Sequence, residues 1–222
     1  PNNSGTYYKT ADGQKGKALK TALFKIISTH KDIGYNGLYE CYKKTDKRAD
    51  GKVWDMYSNT TNFSFSDNNG NYKDEGDMYN REHSVPQSWF KEASPMKADI
   101  VHVVPTDGYV NNRRSSYPFG ETSEPSWRSN NDFSKVGPSS VEGYTGTVFE
   151  PNDEYKGDFA RIYFYMATCY EDKIARWVSN GTASTVLDGT PYPAYKKWYI
   201  NMLLRWAKED PVSQKEIDRN NA

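Results

Sequence analysis

The stretch Asn80-Arg81-Glu82-His83-Ser84-Val85-Pro86 sets a carboxylate beside an imidazole, and further along Val110-Asn111-Asn112-Arg113-Arg114-Ser115 brings an amide and two guanidiniums. These residue types match what metal-assisted phosphodiester hydrolysis needs. A hard cation such as Mg²⁺ takes oxygen ligands from Glu82 and from the Asn111 amide while keeping several waters. A neutral imidazole at His83 takes a proton from an attacking water, and the planar fork of Arg113 or Arg114 clamps a phosphate. Taken alone, the same residues also have plainer readings: Glu82-His83 as a surface pair, Asn111 and Asn112 as helix caps or turn residues, and the arginines as solvated charge.

The elements around them set a geometric condition. Tyr79 to Val85 and Asp99 to Val104 read as strands ended by Pro86 and Pro105, and Tyr109 to Ser115 as one or two turns of helix. On a regular strand the adjacent Glu82 and His83 point to opposite faces, so both serve one site only where the strand ends, bends or bulges. His102 shares a strand face with Ile100 and Val104 and reads as a core histidine.

Elsewhere the pattern is mainly helical. Leu19, Ala22, Leu23, Ile26 and Ile27 recur at helical spacing between Lys15 and His30, with Lys25 and His30 as cations at its C-terminal end. Asn36 is suited to cap a short helix running to about Lys44, and Val53 to Tyr57 reads as a short strand or turn edge. Asp158 to Trp177 is apolar most of the way round and reads as the central buried helix. Tyr192 to Lys208 is a further helix stopped by Asp210-Pro211, and Ser213 to Glu216 is a capping box opening a last one. Asn59 to Asp77 and Glu121 to Gly146 read as long loops. Asp67, Asn69 and Asn71 do not make a calcium loop, since Tyr72 stands where glycine is required and Met78 where glutamate is.

The 222 residues carry 29 Lys+Arg against 29 Asp+Glu, so no global field advertises a polyanionic partner and any attraction for nucleic acid is local. Mean hydropathy is −0.94, yet 18 Tyr, 9 Phe and 6 Trp supply the apolar area for a sizeable core. No apolar run is long enough to span a membrane. Pro1 to Thr10 has neither the basic nor the apolar region of a signal peptide. The two cysteines, Cys41 and Cys169, fit no zinc-finger spacing. They are either paired, closing a loop worth roughly 4–5 kcal/mol in the chain-entropy model, or both buried thiols.

The blocks R-E-H-S-V-P-Q-S-W-F from Arg81 and D-I-V-H-V-V-P-T-D-G-Y-V-N-N-R-R-S-S-Y-P-F-G-E from Asp99 resemble the endonuclease I family of bacterial secreted or periplasmic nucleases. G-K-V-W-D-M-Y-S from Gly51, Y-F-Y-M-A-T-x-Y-E-D-K from Tyr163 and E-D-P-V-S from Glu209 extend the resemblance over most of the chain. It implies a single α+β, mainly helical nuclease domain over 1–222 with long loops. Its ββα-metal (His-Me finger) core would lie at about 77–120 and its C-terminal helices at 158–222. It further implies a Mg²⁺-dependent endonuclease, active on DNA and often also on RNA without sequence preference, that leaves 5′-phosphate ends. His83 would be the general base, Glu82 and Asn111 the ligands of one divalent ion (Mg²⁺, or Mn²⁺ or Ca²⁺), and Arg114 the matching arginine of the V-N-x-x-R block. A monomeric protein without membrane contact, secreted or periplasmic, is expected. Family members continue past the last helix into a Q-G-N-x-N-P-F segment, so this chain is expected to stop short of the natural end, and several relatives hold more disulfides than two cysteines allow.

Two other readings compete. A metal-free ribonuclease would use His83 and His102 as base and acid on the RNA 2′-OH, would work in EDTA and would leave DNA intact. An aromatic-rich exported binding module for glycan or protein would cleave nothing. With an unperturbed His83, nuclease activity is expected to rise through about pH 6.5.

Overall fold

A computed structural model describes residues 5–222; the signal-peptide reading of Pro1 to Thr10 falls in part on residues outside this range. Helices α1 (Gly16–Ile27) and α2 (Gly37–Thr45) precede a hairpin of β1 (Tyr79–His83) and β2 (Val103–Asp107), which leads directly into α3 (Gly108–Arg114). A second sheet follows, of β3 (Trp127–Arg128), β4 (Lys135–Pro138) and β5 (Thr147–Glu150), and then α4 (Asp153–Cys169), α5 (Lys197–Glu209) and α6 (Gln214–Asn221). The architecture is α+β, helices outweighing two small antiparallel sheets.

The hairpin pairs Glu82 with Val104 and His83 with Val103. Its second strand lies further along the chain than the sequence pattern places it, and Pro105 stands inside the strand instead of ending it. The ladder explains why this is tolerated. Asp107, two residues on, donates its N–H away from β1 to Asp55, so the position of Pro105 requires no N–H towards β1.

Two apolar clusters grip the hairpin. On one side Leu38, Tyr42, Val53, Phe63, Tyr79 and Val103 pack together, and the Tyr42 hydroxyl donates to the Val103 carbonyl at 2.9 Å. On the other lies the main core, where Phe119 meets Phe149, Phe159 and Tyr163 with ring centroids 4.7–5.9 Å apart. Its central helix, α4, starts earlier than expected because the Asn152 side chain caps it by accepting from Glu154 N–H. Tyr163 of α4 donates to the Ser84 carbonyl at 2.6 Å and so ties this helix to the end of β1.

Other local expectations need correction. Asn36 is helical in backbone conformation and makes no capping bond. Val53 forms only an isolated bridge with Lys47. The stretch from Glu121 to Gly146 contains β3 and β4: strands of two and four residues set among Ser, Pro and Gly are too short to show a period-two pattern. The capping box at Ser213 is present as expected. Cys41 and Cys169 are unpaired thiols, the second buried.

Asp107 does most to place the helix after the hairpin. Its Oδ1 accepts from Val110 N–H at 2.8 Å, capping α3, while Oδ2 accepts from Gly76 N–H. Asp107→Ala is expected to cost about 1–2 kcal/mol of stability, as for other lost N-caps, and Asp107→Asn, which keeps an acceptor, clearly less. Denaturant unfolding of both variants checks this; equal losses would contradict the capping role.

Candidate active site

Strand β1 ends at His83, and Glu82 and His83 both line one cleft of about 390 Å³ with Asn80, Arg81 and Asn111. The condition set by their adjacency is met at the end of the strand: Ser84 N–H still donates in register to the His102 carbonyl, but His102 N–H turns back to the Asp99 carbonyl and the ladder goes no further.

Glu82 is buried, and its Oε2 accepts from the Tyr57 hydroxyl at 2.6 Å and from Arg114 Nη1 at 3.1 Å. Burial pushes its carboxyl up, and the Arg114 guanidinium and Tyr57 hydroxyl oppose that. Arg114 itself is fully buried. It also donates from Nη1 to the His83 carbonyl, from Nη2 to the Ser84 carbonyl and from Nε to the Tyr117 carbonyl. Burial disfavours its charge, but Tyr57 and Glu82 outweigh burial and hold it above its usual value. Its guanidinium therefore lies beneath the site, committed to protein acceptors. Arg113 is exposed, with its guanidinium carbon 5.2 Å from the centre of the Trp127 ring.

His83 Nε2 lies 3.0 Å from the Lys97 carbonyl. A carbonyl only accepts, so the proton sits on Nε2 and Nδ1 keeps its lone pair. The ring stacks on Tyr35 with centroids 5.8 Å apart and planes at 23°. Burial, with His102 beside it, pushes His83 down to about 3. The rise of activity through about pH 6.5 was expected for an unperturbed imidazole, and the burial of His83 removes that premise. His102 is fully buried with both nitrogens engaged, Nε2 at 2.7 Å from the Met96 carbonyl and Nδ1 accepting from Val85 N–H. It is a core histidine.

Asn111 sits on α3 facing β1. Its Nδ2 donates to Asn80 Oδ1 at 2.7 Å, which leaves the Asn111 amide oxygen outside that bond. Asn112 is exposed within the same helix, which Asp107 caps. Asn80, Tyr57 and Tyr35 carried no expected role. Asn80 was legible, because period two from Glu82 puts it on the same strand face; Tyr57 and Tyr35 come from distant loops and carry no local signal.

The arrangement joins a carboxylate, an amide oxygen and a neutral imidazole in a polar cleft with the cationic Arg81 in its wall. The model of the Endonuclease I family matches residues 15–222. The chain belongs to the Endonuclease I family. Over 226 residues, 97% of this chain and 69% of the relative, it is 34% identical to an extracellular ribonuclease of Bacillus amyloliquefaciens. It is 32% identical over 229 residues to the extracellular ribonuclease of Bacillus subtilis strain 168, covering 98% of this chain and 70% of that protein. Membership of the Endonuclease I family makes this chain a nuclease, and the binding-module reading falls. Among the described residues no helix is long and apolar enough to cross a membrane.

Arg114→Ala, which leaves Glu82 buried without its partner, is expected to cost about 3–5 kcal/mol. Glu82→Leu in the same chain should recover part of that loss, and strictly additive losses in denaturant unfolding would contradict the pairing. His83 is expected to keep the neutral, Nε2-protonated nitrogen pattern in ¹⁵N NMR spectra at pH 5; an imidazolium signal there would contradict its buried setting.

Proposed function

We propose that this nuclease hydrolyses phosphodiester bonds in RNA and DNA, without reading sequence, by attack of a water that His83 deprotonates. The observation that carries the reading is the His83–Lys97 contact, because it fixes which nitrogen is basic. With Nε2 committed, Nδ1 accepts the proton of the water, and the Tyr35 stack holds the ring in place as charge develops on it. Arg81 supplies positive charge in the cleft wall for the phosphate.

Glu82 and Asn111 suit a hard divalent ion: both offer oxygen, and the cleft is polar and open enough for the waters such an ion retains. Mg²⁺ is the expected ion, with Mn²⁺ or Ca²⁺ in the same role. When bound, it supplies stabilisation of the negative charge at phosphorus and at the leaving 3′ oxygen. Asn80 orients the Asn111 amide, and Arg114 with Tyr57 fixes the Glu82 carboxylate, so Arg114 acts as a positioning residue.

Substrate choice draws on the relatives, both of which are named extracellular ribonucleases; RNA is accordingly placed first, and export from the cell is inferred with it. Nothing in water attack requires the 2′-OH, so DNA is included. A two-histidine ribonuclease mechanism finds no support, because His102 has no free nitrogen and no exposed surface. Action as a monomer completes the proposal.

His83→Ala is expected to lower turnover on single-stranded RNA and on supercoiled plasmid by about 10²–10⁴ while leaving the fold intact. EDTA should abolish the parent's activity, and Asn111→Ala should move the Mg²⁺ titration to higher concentration. A fully active His83→Ala, or an Asn111→Ala titration that overlays the parent's, would overturn the assignment.

A further inference from the structure

A second cluster of chemically active side chains lies away from the cleft. His30 follows the C-terminus of α1, Asp99 follows the short turn Met96–Ala98, and Cys169 is the last residue of α4. One ligand atom from each lies within 4.8 Å of the other two, and among the described residues this is the group of His, Cys and carboxylates that comes together in this way. His30 Nδ1 is 3.7 Å from Cys169 Sγ, and His30 Nε2 is 4.0 Å from Asp99 Oδ2. Bonds of 2.0–2.3 Å to a tetrahedral ion put neighbouring donor atoms about 3.3–3.7 Å apart; one His30 nitrogen serves the ion, so the ring must turn to bring that nitrogen from within 4.8 Å to this spacing from both partners.

We propose that His30, Asp99 and Cys169 form a structural site for a zinc-class divalent ion, distinct from the nuclease cleft. Donor chemistry selects the ion. A thiolate and an imidazole favour Zn²⁺ over the oxygen-seeking Mg²⁺. With a neutral imidazole, the thiolate and carboxylate balance two positive charges, so the filled site is neutral. Binding releases the Cys169 thiol proton to solvent as the sulfur–metal bond forms. Asp99 and Cys169 are buried, whereas the His30 side chain is 26% exposed, which gives the ion a route in and leaves room for water as fourth ligand. The outer contacts are those of a built site: Asp99 Oδ2 accepts from the Tyr165 and Tyr170 hydroxyls at 2.9 and 2.6 Å, and Oδ1 accepts from Val101 N–H.

The site's position gives it a purpose. Helix α1 contains no fully buried residue and meets the residues after α4 through Thr21 and Lys20 at Glu171, so a bond at its C-terminal end would add a second tie to α4. Asp99 also lies two residues beyond Lys97, whose carbonyl holds His83. An ion there would stiffen the turn that orients the general base.

Cobalt(II) tests this on the full chain, independently of nuclease activity. One equivalent of Co²⁺ added to metal-stripped protein should give an intense thiolate-to-cobalt absorption in the near ultraviolet, bleached by one equivalent of Zn²⁺. Cys41→Ser should keep the band, Cys169→Ser and His30→Ala should lose it with unchanged circular dichroism, and Tyr165→Phe should weaken Co²⁺ binding by about 10–100-fold. Zn²⁺ should raise the melting temperature of the parent and not of His30→Ala. An ion at Glu82 and Asn111 meets only oxygen and gives no such band. Absence of the band in the parent at saturating Co²⁺ would overturn the proposal, and so would its survival in Cys169→Ser.

Discussion

The buried ion pair between Glu82 and Arg114 is the contact on which the rest of the site depends. Arg114 is the last residue of α3, and its donors reach Glu82, the carbonyls of His83 and Ser84, and that of Tyr117. One guanidinium therefore joins the end of β1 to the end of the following helix, and these are the two elements that present Glu82, His83 and Asn111. A charge this deep is costly to bury and holds only because each of its nitrogens donates to a protein oxygen. Its rigidity follows from that cost: any movement of β1 against α3 would strand a desolvated charge.

Around this pair the supports fall into layers. Tyr57 fixes the carboxylate, Tyr163 fixes the Ser84 carbonyl, and the Phe119 ring lies 4.2 Å from the Arg114 guanidinium carbon. Lys97 and Tyr35 do the same for His83, one by hydrogen bond and one by stacking. The aromatic richness expected to build the core is thus spent mostly inside, where it also holds polar groups in fixed orientation. The same burial keeps His83 neutral, the form a base requires.

Much of the site was legible in the sequence because its parts are local. Glu82 and His83 are neighbours, Asn111 and Arg114 sit one turn apart, and the order strand, strand, helix follows from the apolar pattern. The capping box before α6 and the helical spacing of Trp198, Met202 and Trp206 carried the C-terminal helices in the same way. What was missed depends on tertiary context. The three-stranded sheet has strands too short to show alternation. Pro105 fits a strand only because its missing N–H points away from the partner, and the burial of Arg114 and His83 is set by residues far away in the chain.

Cleavage chemistry tests the central claim most directly, namely that a water deprotonated by His83 attacks phosphorus without help from the sugar. An RNA oligonucleotide and its all-2′-deoxy counterpart would be digested in Mg²⁺ and their ends identified by mass spectrometry. Attack by a water that His83 activates should cleave both, leaving 5′-phosphate and 3′-hydroxyl ends. A 2′,3′-cyclic phosphate from the RNA, together with an intact deoxy strand, would contradict it.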